Sequence, residues 1–341
     1  MAREISAGRD LLLAADGDIT LESSQDLSTL HSQNQSSSAS IGVAISFGSS
    51  TGISFSASAN QARGKANGDD AIQQNTHVTA GRAIQIQSGA DTTLAGATIA
   101  APTVKADIGG NLLIESRQDT STYTSAQKSS GMGVSLCIPP LCYGMSSVSG
   151  SFGKQNVDSY YRSVTEQSGI RAGDGGFQVS VGGNTTLTGG AITSSDLAVQ
   201  EGLNSFATGG TLTTTDIQNR ADYKGEGFSV NVTVAGGGTD KPPEGHERRT
   251  QATPPTNGGS AGIAEDKGSG SSVTTASISG IAGNTAMRTG DAEAGLTPIF
   301  DRDAVQREID AQIKITAEFG KLASKAVGDL AGAKADDLRN Q

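Results

Sequence analysis

The sequence predicts an all-β fold: a right-handed parallel β-helix with protruding β-hairpins, followed by a flexible linker and a C-terminal α-helical segment. Three observations predict it. A ten-residue phrase recurs, GDITLESSQD at 17–26 and GNLLIESRQD at 110–119, with a looser copy, GGTLTTTDIQN, at 209–219. Internal repetition of this kind marks stacked supersecondary units. The composition suits many short strands joined by tight turns: 46 of 341 residues are glycine, aromatics make up 4%, and tryptophan is absent. Apolar residues also alternate with period two, as at Ile84 and Ile86 or Phe177, Val179 and Val181.

Three stretches align from an Ala-Gly step: AGRDLLLAADGDITL from Ala7, AGRAIQIQSGADTTL from Ala80 and AGDGGFQVSVGGNTTL from Ala172. A strand, a Gly-Asp or Gly-Asn turn and a second strand make a coil of about 20 residues. One coil cannot bury its apolar face alone, but a stack can, with Leu, Ile and Val forming inward ladders. About seven coils are expected, giving a rod roughly 30 Å long at ~4.8 Å per coil. An antiparallel sandwich also has short strands at this spacing, but it wants buried aromatics.

Each repeat is followed by a Gly/Ser-rich segment with short apolar runs. Residues 31–76 and 120–168 read as long β-hairpins leaving the stack, and Tyr223 to Ala235 begins a third. The predicted domains are thus 1–236 for the β-helix, 237–297 for a Gly/Pro/Ser-rich linker, and 298–341 for a helical segment. Val273 to Ile281 offers one further strand. In the last segment Val305, Ile309, Ile313, Phe319, Leu322, Ala326 and Leu330 have helical spacing, with Asp301 or Asp303 as N-cap and Gly320 and Gly328 as points of division. A helix of this kind is expected to pack on something outside the chain given.

Cys137 and Cys142 stand in CIPPLC. The spacing suits a disulfide-closed hairpin tip in an oxidising compartment, or two reduced thiols in a loop. A metal site is not expected, because there is no second Cys pair and no histidine nearby.

Little in the chain points to catalysis. His31, His77 and His246 are dispersed. G-x-S-x-G matches at 48–52 and 258–262 lack the strand-to-helix context of a nucleophile elbow. Asp18, Asp91 and Asn184 recur once per module, which is the spacing of structural turns. No catalytic residue and no cofactor are therefore expected. The net charge of −10 argues against nucleic acid as a partner. No apolar run is long enough to span a bilayer as a helix, and the opening residues run straight into repeat sequence, as in a piece of a longer chain.

The runs at 75–99, 109–123, 137–144 and 163–192, and the tail at 298–329, resemble the haemagglutinin-repeat region of two-partner-secreted exoproteins. That family comprises the filamentous haemagglutinins and the CdiA-type contact-dependent growth inhibition proteins. The resemblance is to the second, membrane-proximal repeat domain, over 1–236 and 296–330. It implies an exported protein of the periplasm or cell surface of a Gram-negative bacterium, with an outer-membrane two-partner secretion transporter as partner. It further implies a non-catalytic stalk that helps a C-terminal toxin cross the target-cell outer membrane. An adhesin binding a cell-surface receptor is the alternative. Any toxin activity in that family lies in a C-terminal domain that 1–341 does not resemble.

Overall fold

Alternating apolar residues can be covered on one side only if successive strands stack in the same register, and the chain does this three times over. The structure, a computed structural model, describes residues 4–46, 52–142, 145–236, 238–239, 252–253, 256–292 and 295–319. The chain is mostly strand, with a short helix at Asp196–Gln200 and a C-terminal helix at 302–319. Each coil contributes one strand to each of three sheets. The second coil, for example, supplies Thr76–Ala80, Ala83–Ser88 and Thr92–Ala95, and the third supplies Ala97–Ala101, Thr103–Ile108 and Leu112–Glu115. All strands from one coil to the next pair in parallel.

The registers put like residues in columns. One column runs Ile5, Val78, Ile99, Ile170, Ile192, Ile278. Another runs Leu21, Leu94, Ile114, Leu187. Ile84, Leu94, Ile114, Leu187, Ile192 and Ile278 are wholly buried. Burying each such side chain stabilises the fold by ~1.5–3 kcal/mol. Phe177 fills the same interior column as Leu11, Ile84 and Val104.

A polar ladder runs up one corner. Asp91 N donates to Asp18 Oδ1 at 2.9 Å, Asn111 N to Asp91 Oδ1 at 2.7 Å, Asn184 N to Asn111 Oδ1 at 2.8 Å, and Thr211 N to Asn184 Oδ1 at 2.9 Å. Each turn side chain thus satisfies the backbone of the next coil. The glycines beside the ladder are needed for close approach: a β-carbon on Gly182 would lie 2.4 Å from the Gly109 carbonyl oxygen.

Among the described residues, five coils carry all three strands and Ser277–Ile278 begins a sixth, fewer than the seven expected. Part of the difference lies at the first and third hairpins, which leave the stack earlier than expected, at Ser24 and Ile217. The first hairpin is longer than read from sequence, Ser24–Ser46 with Gly52–Gln74, and the second slightly shorter, Asp119–Cys142 with Ser146–Ser163. A third forms from Ile217–Gly236 and Thr256–Thr274. The expected linker at 237–297 therefore contains a 19-residue strand. Val273 lies in the last part of that strand, which ends at Thr274, rather than beginning a new one, and Ser277–Ile278 belongs to the coil stack. A Gly/Ser-rich strand lacks the apolar alternation that signals a strand. Here the free edge of Ile217–Gly236 supplies the pairing.

The hairpins do not stand apart. Gly52–Gln74 pairs with Asp119–Cys142, and Ser146–Ser163 with Ile217–Gly236, giving one six-stranded antiparallel sheet. The geometry follows from a match of spacings. Two coils separate successive hairpins, and two coils rise by about the width of one hairpin, roughly 9.6 Å in each case. The repeated phrase sits at the departure point. Its apolar half is the last coil strand, and its polar half is the junction, where Asp119 Oδ1 accepts from Gln73 N at 2.6 Å and Ser116 Oγ donates to Gly189 O at 2.7 Å.

Candidate interaction surface

Residues opposite one another in an antiparallel sheet share a face, so the registers sort every arm residue. The distal runs read I-G-V-A-I at 41–45, M-G-V-S-L-C-I at 132–138 and F-S-V-N-V-T-V at 228–234. Period two sends the apolar set to one face and Gly, Ser, Asn and Thr to the other. Ile41, Val43, Ile45, Phe55, Met132, Leu136, Val148, Phe152, Val230, Val232 and Val234 share the apolar face, and all are exposed. Ile41 is 90% exposed and Met132 65%. From the row of Phe152 to that of Ile45 this face extends roughly 27 Å along the strands and roughly 24 Å across them. Patches of that size on a soluble surface mark a site of interaction.

The opposite face is partly covered, and by this chain's own helix. Helix 302–319 lays Val305 and Ile309 against Val157 and Ala264, with Tyr123, Tyr223, Phe300 and Ile313 around them. The expectation of a partner outside the chain is thereby corrected. Glycines make the approach possible: a β-carbon on Gly227 would sit 2.7 Å from Ile309 Cγ2. Asp301 caps the helix, accepting from the N–H groups of Asp303 and Ala304 at 2.9 Å each. The Ala304 N–H, more than any other group, holds its carboxyl below the usual carboxylate range. The helix also guards an edge of the sheet. Ile263 N donates to Thr316 Oγ1 at 2.9 Å, and Glu265 N to Gln312 Oε1 at 3.1 Å. Phe319 is exposed, while Gly320, Leu322, Ala326, Gly328 and Leu330 lie outside the described residues.

Cys137 and Cys142 are joined by a disulfide with Cα atoms 5.1 Å apart, closing the distal end of the second hairpin. Closing so short a loop stabilises by about 2 kcal/mol in the chain-entropy account. The histidines are scattered. His77 Nε2 lies 2.9 Å from a Glu166 carboxylate oxygen, His31 Nδ1 lies 2.8 Å from Leu30 O, and His246 is outside the described residues. Of the G-x-S-x-G matches, 258–262 lies inside strand Thr256–Thr274, and 48–51 fall outside the described residues. Asp18, Asp91 and Asn184 are engaged in the corner ladder. Among the described residues no three His, Cys, Asp or Glu side chains gather to hold a metal ion. No described helix is long and apolar enough to cross a membrane, which says nothing of strands.

Nearer the coils, the apolar face turns charged. Lys224 pairs with Glu226, Arg220 with Asp222, and Lys267 Nζ with Glu265 Oε1 at 2.8 Å. The hydrogen bond to Glu226 raises the Lys224 ammonium above its usual range, and that to Lys267 lowers the Glu265 carboxyl. Strand periodicity in the sequence marks the apolar positions. Which charges lie beside them depends on the pairing of six strands from distant parts of the chain.

The comparisons with known proteins bear on the sequence that builds this arrangement. Residues 2–132 match the family model described as hemagglutinin repeat. These residues belong to the hemagglutinin-repeat family. Homologues extend over most of the chain. Toxin CdiA of Escherichia coli is 32% identical over 94% of this chain and 10% of its own length. The 16S rRNA endonuclease CdiA of Enterobacter cloacae is 35% identical over 93% of the chain and 9% of its own length. The tRNA nuclease CdiA of Yersinia mollaretii is 32% identical over 95% and 10%. The chain thus spans about a tenth of the length of these curated relatives, and the two nuclease names belong to the full-length proteins. No solved structure matches it.

Proposed function

We propose that this region is a non-catalytic stalk and delivery module of a secreted contact-dependent growth inhibition toxin. In this reading the coil stack is a right-handed parallel β-helix, the hand that parallel crossovers adopt. The arm sheet meets the target-cell outer membrane and helps a C-terminal toxin across it. Export through an outer-membrane two-partner secretion transporter places the region in the periplasm or at the cell surface. The observation that carries the reading is the one-sided sheet: an apolar face left open to solvent, backed by a face of Ser, Gly and Asn. Strands of that pattern suit a surface with lipid on one side and water on the other.

The test uses a full-length toxin carrying this region with I41S, M132S and V232S together. All three side chains are exposed, so folding and surface display persist. Toxin import into target cells is expected to fall by at least tenfold. Unchanged import would overturn the reading. Saturable binding to intact cells that survives the triple substitution would favour an adhesin with a surface receptor.

A further inference from the structure

The apolar face has a basic border. Across the sheet, Arg63 pairs with Lys128 and Lys128 with Lys154, so three cations stand in one row on the apolar face. Phe228 and Ile263 continue that row on the remaining two strands, and Gln35 precedes it. Lys65 lies two residues behind Arg63 on the same face. The next row toward the tips holds Phe152 and Val230, and the apolar surface begins there. Among the described residues none of these four cations takes part in an ion pair, whereas Lys224, Lys267 and Arg220, closer to the coils, are each matched by an acid on their own strand. The chain as a whole carries a net charge of −10, so unmatched cations at the apolar margin are a local feature.

The geometry points to a lipid surface bearing anionic phosphate headgroups as the partner of this face. Arg63, Lys128 and Lys154 would meet the headgroups while the rows from Phe152 to Ile45 rest against the acyl region. Long cationic side chains suit that border, since their stems lie along apolar surface and their heads reach phosphate oxygens. The row also sets the depth of contact, because the ion-paired rows behind it gain nothing from moving further in. An open sheet with a free edge at Ser24–Ser46 cannot sit within the hydrocarbon unpaired, so it lies face-on. This inference rests on the membrane reading proposed above and adds the lipid class to it.

Flotation of the full chain with phosphatidylcholine vesicles, against vesicles in which roughly a third of the lipid is phosphatidylglycerol, separates the two. Preference for the anionic vesicles is expected, weakening as salt is raised. R63Q, K128Q or K154Q should each lower that preference about fivefold, and the three together on the order of a hundredfold. K105Q, on the outward side of the coil stack, should leave it unchanged; circular dichroism confirms that each variant is folded. Equal binding to both vesicles, or a triple variant that keeps the preference, overturns the inference while leaving membrane contact standing. Binding to neither, with a dimer in light scattering, assigns the apolar face to a second copy and overturns both.

Discussion

The coil stack and the arm sheet are built from the same material, short-period strands rich in Gly, Ser, Thr and Val, yet they end in opposite states. In the stack, Ile99 and Ile170 face a closed interior and are 1% exposed. In the sheet, Ile41 and Val232 occupy equally regular positions and face solvent. The difference is closure. Three sheets sharing one buried core give inward side chains apolar partners, whereas a single sheet covers one face only with help. Helix 302–319 gives that help to the polar face near the coils, and no described element gives it to the distal apolar face. Buried apolar surface is therefore concentrated in the stack, and exposed apolar surface in the arms.

The sharpest way to break this comparison is to empty the stack. Ile114→Ala removes a wholly buried side chain from a column and should cost about 2–5 kcal/mol in urea unfolding. A loss under about 1 kcal/mol would mean that the interior is not closed. Ile309→Ala should cost about 2–3 kcal/mol, but locally: hydrogen exchange should quicken in 302–319 and around Glu265 while the coil strands keep their protection. Simultaneous loss in the coils would show the two regions to be one cooperative unit. Asn184→Ala removes an acceptor used by Thr211 N and should cost about 1 kcal/mol. Its effect should be confined to the coils, with vesicle binding intact.

The smallest effect concerns Asp301. Because its carboxyl is held below the ordinary value in the folded chain, its stabilisation is fully present above the unfolded carboxylate pKa and is lost as pH falls through the lowered one. Amide exchange at 303–305 should rise in that acid window, and Asp301→Asn, which keeps the cap without the charge, should flatten the dependence. An unchanged profile in the variant would remove Asp301 as its source.

Much of the stack is legible in the sequence. Ile84, Ile86, Val179 and Val181 announce their strands by alternation, and Asp18, Asp91 and Asn184 announce the turns. The ladder they form includes Asn111, which the repeated phrase contains at its second position. The strand at 256–274 escaped because T-N-G-G-S-A-G-I has no apolar period, and only pairing with Ile217–Gly236 makes it a strand. The helix cap at Asp301 was within reach, but the surface the helix covers was not, since Gly225, Gly227 and Gly262 reveal nothing until they are brought side by side. The short helix at Asp196–Gln200 carried no amphipathic signal long enough to read.

By itself the sequence determined the periodicities: which residues alternate, where coils turn, and where each hairpin departs, because these depend only on backbone geometry within a few residues. The tertiary structure decided what those periodicities meet. Two coils rise by the width of one hairpin, and so three separate arms become one sheet. That sheet gathers Ile41, Met132 and Val232, and the cations Arg63, Lys128 and Lys154, from strands far apart in the chain. Register between distant strands is set by long-range packing, which no local pattern encodes.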